Sequence, residues 1–187
     1  KLDQSALKHA FYDVVSRHES LRTVFPENKG SSHQLILPAE EARPVFTVTR
    51  ADKNELQDML AAAARYRFDL AKEPAVRAEL FDLGDGEYTL MVLLHHIAGD
   101  GWSLNPLMRD LSIAYIARQT GEKAEWAPLA VQYADYALWQ QQLLGSASDS
   151  ESLIARQLDF WKKTLENVPD QLELPSDFPR PAESSYR

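Results

Sequence analysis

Two adjacent histidines, His95 and His96, follow the most apolar stretch of the chain, residues 90–94, and Asp100 comes four residues after the second. An imidazole titrates near neutral pH, so it can accept a proton from an amine or hydroxyl and later return it. Because neighbouring side chains of a strand point to opposite faces, only one of the two histidines can face a substrate. From spacing alone a packed structural histidine is the commoner case, so both interpretations stay open at this point.

Other kinds of chemistry find little support in the sequence. There is no cysteine, which excludes disulfides, thiolate nucleophiles and cysteine metal sites. A metal site at the histidine pair is disfavoured, because the two side chains oppose each other and no third ligand stands at a familiar spacing. His-Glu-x-x-His and glycine-rich phosphate loops are absent. His9 and His33 are expected at the surface.

Composition and charge argue against nucleic acids and membranes as binding partners of this chain. The chain has 187 residues and a formal net charge of −8, which argues against a nucleic-acid-binding surface. Its longest apolar run is too short to span a bilayer, so no membrane segment is predicted. The lack of cysteine is typical of a protein in the reducing cytoplasm.

The tandem histidines need elements on both sides to position them, and the apolar pattern predicts these elements. Residues 75–83 and 87–96 are expected to pair as strands across the turn at residues 84–86. Residues 90–94 are apolar at every position, which predicts the central strand of the sheet, buried on both faces. An amphipathic helix should follow the histidines, with Ser103 as its N-cap.

The rest of the chain completes a mixed architecture. Apolar residues recur at helical spacing in four further segments and alternate as in strands in three others. The predicted helices are residues 3–18, 55–68, 130–144 and 153–165, and the predicted strands are residues 21–25, 33–37 and 45–49. This order indicates an α/β (α+β) layered sandwich.

Residues 95–103 resemble the His-His-x-x-x-Asp-Gly signature of condensation domains from nonribosomal peptide synthetases. Residues 17–25 and 133–140 resemble two further motifs of that family, and Phe160-Trp161 with residues 172–181 resembles a fourth. The four matches follow the family order and cover nearly the whole chain, so together they are far more specific than any one alone.

The resemblance implies a chloramphenicol-acetyltransferase-like fold, with a mixed central sheet, flanking helices and two similar lobes. Residues 1–168 would be the N-terminal lobe, and residues 169–187 the crossover toward a second lobe that the sequence lacks. The implied reaction joins an aminoacyl or peptidyl thioester to an aminoacyl acceptor. Upstream and downstream peptidyl carrier proteins would bring these substrates on phosphopantetheine arms, beside an adenylation domain. No metal or redox cofactor is implied.

The resemblance also implies roles for the residues around the histidine pair. His96 matches the histidine directed at the reaction centre, where it either acts as general base or positions the amine and stabilises the tetrahedral intermediate. His95 would pack and orient. Gly101 would offer its backbone N–H near the developing oxyanion. This lobe alone would be inactive, because the site lies between two lobes.

Four residues are expected to support the site. Asp100 would be buried after its turn and would pair with Arg22 from the second motif. Arg17, from the same motif, is a further supporting residue. Trp139 would line the substrate tunnel or, as a large aromatic at helical spacing, belong to the core.

Alternatives within and outside the family remain. A condensation-like lobe can serve as a non-catalytic docking platform, and a free-standing acyltransferase would use a coenzyme A thioester. Residues 96–111, and residues 143–157 ahead of Phe160-Trp161, look more like the branch that accepts a D-configured donor. That branch would place an epimerisation domain immediately upstream.

Overall fold

A computed structural model describes residues 1–169, 175 and 177–179 of the chain. The protein divides into two compact units, Lys1–Leu138 and Trp139–Arg187, each considered by itself below. The elements in chain order are α1 (Gln4–Arg17), a short 3-10 helix (Glu19–Arg22), β1 (Thr23–Val24), β2 (Glu27–Asn28), β3 (Ser31–Ser32), β4 (Leu35–Ile36), β5 (Phe46–Arg50), α2 (Leu56–Ala64), β6 (Val76–Gly84), β7 (Glu87–Leu94), α3 (Gly101–Gln119), α4 (Tyr133–Leu144) and α5 (Leu153–Thr164). The predicted α/β layering is confirmed.

Helix α1 forms where the sequence supplies both a cap and an apolar face. The Asp3 side chain accepts a hydrogen bond from the Ala6 backbone at 2.9 Å, which satisfies one of the free N–H groups at the helix start. The apolar face of α1 packs against α3 and the sheet, in a core that also includes residues of β6. The buried residues of α1 are Ala6, Leu7, Ala10, Phe11, Val14 and Val15.

The main sheet has three strands in the order β5-β6-β7. Strand β5 runs parallel to β6, and β6 pairs antiparallel with β7 from Val76 opposite Leu94 to Gly84 opposite Glu87. Strand β6 carries the core, with Val76, Ala78, Leu80 and Phe81 buried.

The prediction that β7 is the central, doubly buried strand was wrong. Among the described residues β7 lies at an edge of the sheet, and none of its side chains is fully buried. Tyr88, Leu90, Val92 and Leu94 pack against the core on one face. Alternate residues such as Met91 and Leu93 point to the other face, where Ala63 of α2 lies nearby. An unbroken apolar run therefore indicates that both faces of the strand are partly covered by other residues. It does not show whether the strand lies at the centre or at the edge of the sheet.

Several predicted boundaries shift. The expected strand over residues 21–25 is a 3-10 turn followed by the short β1, which pairs with β4 in a separate two-stranded sheet. In the second unit, α5 begins where the Ser152 hydroxyl accepts from the Ala155 backbone at 3.1 Å. No helix in the described part of the chain is long and apolar enough to cross a membrane.

Candidate active site

The histidine pair lies in the turn between β7 and α3, and its two members have different surroundings. His95 is half-buried and continues the strand, since its backbone N–H donates to the Ala75 carbonyl at 2.9 Å. Its Nδ1 accepts from the Ile97 backbone at 3.1 Å, and its ring stands edge-on to Phe68 at 6.0 Å between centroids. His96 is exposed, and no hydrogen bond or ion pair holds its imidazole within residues 1–169.

Asp100 caps the helix that follows. Its Oδ1 accepts from the Ser103 backbone at 3.1 Å and from the Ser103 hydroxyl at 3.0 Å, while the Ser103 hydroxyl accepts from the Asp100 backbone. These bonds lower the pKa of Asp100, with the Ser103 hydroxyl contributing most. The predicted N-cap was therefore wrong by three residues, because Ser103 is the N3 partner in a reciprocal capping box.

The turn packs closely around one of its two glycines. A Cβ on Gly99 would lie 2.9 Å from Cδ2 of Leu94 and 3.0 Å from Cβ of Ser103. A Cβ on Gly101 would meet nothing within 4 Å. Gly101 is the first residue of α3, where backbone N–H groups lack partners within the helix.

The predicted pairing of Asp100 with Arg22 is wrong. Asp100 is exposed, so its charge needs no buried cation, and the start of α3 supplies its hydrogen bonds. Arg22 instead donates to the backbone carbonyls of Leu37 and Ser16 and to the Glu19 carboxylate. It thereby ties the end of α1 to β4.

Among the described residues the buried carboxylate is that of Asp110, in the middle of α3, with a side chain only 2% exposed. Its Oδ2 accepts from Arg17 Nε at 3.0 Å and pairs with His18 Nε2 at 2.9 Å. Its Oδ1 accepts from Arg109 at 3.0 and 2.9 Å. Burial alone would raise the pKa of Asp110, but the hydrogen bonds from His18 and Arg109 outweigh it and hold the pKa below its usual value.

Asp110 is not among the site residues predicted from the sequence, although the sequence carries a signal for it. Asp110 falls between Leu107 and Leu111, on the apolar face of α3, where an aspartate needs a partner. Arg17, which was expected to support the site, also donates to the Ala127 carbonyl at 2.8 Å and lies 4.8 Å from the Trp126 ring. The network thus joins α1, α3 and the segment after α3.

A cavity of about 190 Å³ lies directly behind the histidine turn. Leu94 and Ala98 on either side of the histidine pair line it, together with Ser103 of α3 and His18 at the end of α1. We call it the turn cavity. His18, which is bonded to Asp110, and the residues that flank the histidine pair therefore line the same cavity. The sequence did not predict this proximity.

Two further predictions concern a residue of the second unit and residues that are mostly not described. Trp139 belongs to the second unit, where 55% of its side chain is exposed. The proposed motif over residues 172–181 and most of the crossover over residues 169–187 fall outside the described residues. Within the described part, no group of three or more histidine, aspartate or glutamate side chains could hold a metal ion.

Comparison with known proteins identifies the family. The condensation-domain family model matches residues 1–187. The chain is 64% identical over 186 residues to a dimodular nonribosomal peptide synthase of Bacillus subtilis (strain 168), covering all of this chain and 8% of that protein. It is 46% identical over 189 residues to an isonitrile lipopeptide synthase of Mycobacterium tuberculosis, again covering all of this chain and 8% of the relative.

Solved structures agree with this identification. The X-domain in a complex with OxyB from teicoplanin biosynthesis is 42% identical, with a TM-score of 0.88 over 97% of this chain and 39% of that one. An epimerization domain from the third module of tyrocidine synthetase B is 25% identical, with a TM-score of 0.76 over 96% of this chain and 40% of that one. The chain belongs to the condensation-domain family of nonribosomal peptide synthetases.

Proposed function

We propose that this chain is the histidine-bearing lobe of an active condensation domain. The whole domain would join a donor aminoacyl or peptidyl thioester to the α-amino group of an acceptor, each held on the phosphopantetheine arm of a peptidyl carrier protein. The observation that carries the proposal is the complete His-His-x-x-x-Asp-Gly sequence on an exposed turn, with the imidazole of His96 free among the described residues.

The reaction needs little beyond positioning and one proton transfer. The acceptor nitrogen attacks the thioester carbonyl carbon, a C–N bond forms, the C–S bond breaks, and the thiol of the donor arm leaves with a proton. His96 either takes the proton from the attacking amine or holds the amine and stabilises the tetrahedral intermediate. His95, bonded through its backbone and Nδ1, keeps the turn in shape.

The start of α3 supplies a second element of the proposed site. Helix N-termini carry a partial positive charge and unpaired N–H groups. Asp100 caps the Ser103 N–H, which leaves Gly101 at the helix start for a developing oxyanion. An N–H group fixed in this way stabilises charge that appears only in the transition state.

A second candidate is a non-catalytic docking lobe. Its support is the likeness to the X-domain, which was solved in a complex with OxyB. The intact histidine signature and the 64% identity to a peptide synthase favour catalysis. The experiment is to incubate the intact domain with both carriers loaded and to follow dipeptide on the downstream arm by mass spectrometry. Enzyme-dependent product supports condensation, and its absence supports docking.

The proposal also covers the domains that adjoin this one in the synthetase and the configuration of the donor residue. The intact synthetase would place an adenylation domain and two carrier proteins beside this domain. The likeness to the D-donor branch adds an epimerisation domain upstream. Loading the upstream carrier with D- and L-terminated donors in separate reactions tests this assignment, since a faster rate with the L donor contradicts it and leaves condensation intact.

A further inference from the structure

We propose that the turn cavity receives the side chain of the acceptor amino acid, with His18, held by Asp110, as its hydrogen-bonding group. This inference rests on the proposed function, because it assigns a subsite to the condensation reaction. It adds a specificity-determining residue that lies 77 or more positions before the histidine turn in the sequence.

The walls of the turn cavity suit a compact apolar group. Leu21, Leu94, Ala98, Pro106 and Leu107 make up most of its lining. Its volume is about 190 Å³. A dry apolar cavity of about 150 Å³ accommodates a benzene molecule, so a side chain of leucine or asparagine size fits.

The cavity also offers two unused polar groups. His18 gives its Nε2 to Asp110, and its Nδ1 bonds to no group within residues 1–169. The Ser20 hydroxyl likewise has no hydrogen-bond partner in that range. The third polar residue, Ser103, already shares its hydroxyl with Asp100. One imidazole nitrogen and one hydroxyl therefore remain for a ligand.

The carboxylate of Asp110 determines which ring nitrogen of His18 carries the proton. Asp110 accepts the Nε2–H, which leaves Nδ1 of the neutral ring as an acceptor for an N–H or O–H group. The charged groups facing this ring are Asp110 itself and Arg17 and Arg109, which bond to the same carboxylate. This arrangement is a carboxylate–histidine pair with one nitrogen free.

The acceptor is a better occupant than the donor for a geometric reason. His96 acts on the acceptor nitrogen, and the Cβ of that residue is two bonds away from this nitrogen. The donor Cβ lies one bond farther, beyond the carbonyl carbon under attack. Ala98, two residues after His96, lines the turn cavity, so a side chain that starts beside His96 has a short path into it.

The test varies the acceptor and the cavity together in the intact synthetase. The acceptor arm is loaded with glycine, leucine or asparagine, with the donor kept constant, and kcat/KM is measured for each. Because one methylene in an apolar pocket changes kcat/KM by about 10-fold or more, the leucyl acceptor should exceed the glycyl one by at least ~10-fold. As a control, the donor residue is varied while the acceptor is kept constant. A substitution at Ser20 should then leave the relative rates for the different donors unchanged.

Two variants fill the cavity from different elements, Ser20→Leu from the 3-10 helix and Pro106→Met from α3, so that a folding failure in one leaves the other as a test. In Ser20→Leu and in Pro106→Met the ratio of leucyl to glycyl kcat/KM should fall by at least ~10-fold, because the larger side chain occupies space that only the leucyl acceptor uses. Thermal unfolding confirms that each protein is folded. An unchanged leucyl-to-glycyl ratio in a folded variant overturns the proposal.

His18 is tested by comparing side chains of equal size. In His18→Leu the ratio of asparaginyl to leucyl kcat/KM should fall by at least ~10-fold, because the polar partner is lost while the volume is kept. The matched control is His33→Leu, an exposed histidine, which should leave the ratio unchanged. An unchanged ratio in folded His18→Leu refutes the role of His18. If wild-type protein makes no product even from glycine, the proposed function fails as well.

Discussion

At the scale of single residues, one carboxylate organises the lobe. Asp110 accepts four hydrogen bonds from three cationic or titratable side chains, and two of these come from the end of α1. Its neighbours Arg17 and His18 belong to a motif that the sequence links to the family, but the sequence offers no direct way to pair them with α3. Distance in the chain hides the contact, because Arg17 and Asp110 are 93 positions apart.

Removal of the Asp110 charge should destabilise the lobe strongly. In Asp110→Asn the half-buried Arg17 loses its counter-charge, so we expect a loss of about 3 kcal/mol in the free energy of unfolding. Urea denaturation of the intact domain measures this. The control is Asp58→Asn on the exposed face of α2, which should stay within about 0.5 kcal/mol of wild type. Equal stability of the two variants contradicts the network.

The same carboxylate predicts a pH dependence. The folded-state pKa of Asp110 lies below its unfolded value, so the folded protein binds fewer protons at this group. Its contribution to stability is therefore complete above the unfolded pKa of about 3.9 and declines as pH falls through the lower folded pKa. Urea denaturation below about pH 4 should show wild type losing its advantage over Asp110→Asn. An advantage that grows as the solution is acidified would contradict this sign.

At the scale of elements, the site depends on how β7 turns into α3. The strand ends at Leu94, the turn closes with Gly99 against Leu94 and Ser103, and Asp100 caps the helix. The sequence predicted the strand, the turn and the helix, because these follow from local patterns. It misplaced the cap and ranked β7 as the central strand, because strand order depends on pairing between distant segments.

The two glycines of the turn should differ in their tolerance of a methyl group. Gly99→Ala forces Leu94 and Ser103 apart, so we expect a loss of about 1–3 kcal/mol in the free energy of unfolding. Gly101→Ala adds its Cβ in open space and should change that free energy by less than about 0.5 kcal/mol. Chemical denaturation of both proteins measures these two changes in the free energy of unfolding. Similar losses in the two variants would contradict the close packing around Gly99.

At the scale of the whole molecule, the first unit exposes apolar side chains close to its proposed catalytic turn. Trp102 is 88% exposed, and Ile97, Leu104 and Met108 are also exposed. Isolated apolar residues are common at surfaces, but four beside one turn are typical of a face that another part of the protein covers. The curated relatives described above are more than ten times longer than this chain, so a covering lobe is available in proteins of this kind.

A chain of residues 1–187 alone should therefore form no amide product. In the proposed function two tethered substrates must be positioned against each other, and surfaces of a second lobe would contribute to that positioning. The measurement is product formation by the purified 187-residue chain with both carriers loaded, compared with the intact domain at equal concentration. Turnover by the isolated chain at a comparable rate would contradict the need for a second lobe.

The most direct test of the central claim is the turnover of His96→Ala in the intact domain. Loss of an acid–base group should lower the rate of peptide transfer between loaded carriers by at least ~10²-fold. The His96 side chain is exposed and bonds to no other residue in the described part of the chain, so the variant should unfold at the wild-type temperature. His33→Ala serves as the control for removing an exposed imidazole. A folded His96→Ala protein that transfers at a near-normal rate would show that the histidine turn does not carry the condensation chemistry.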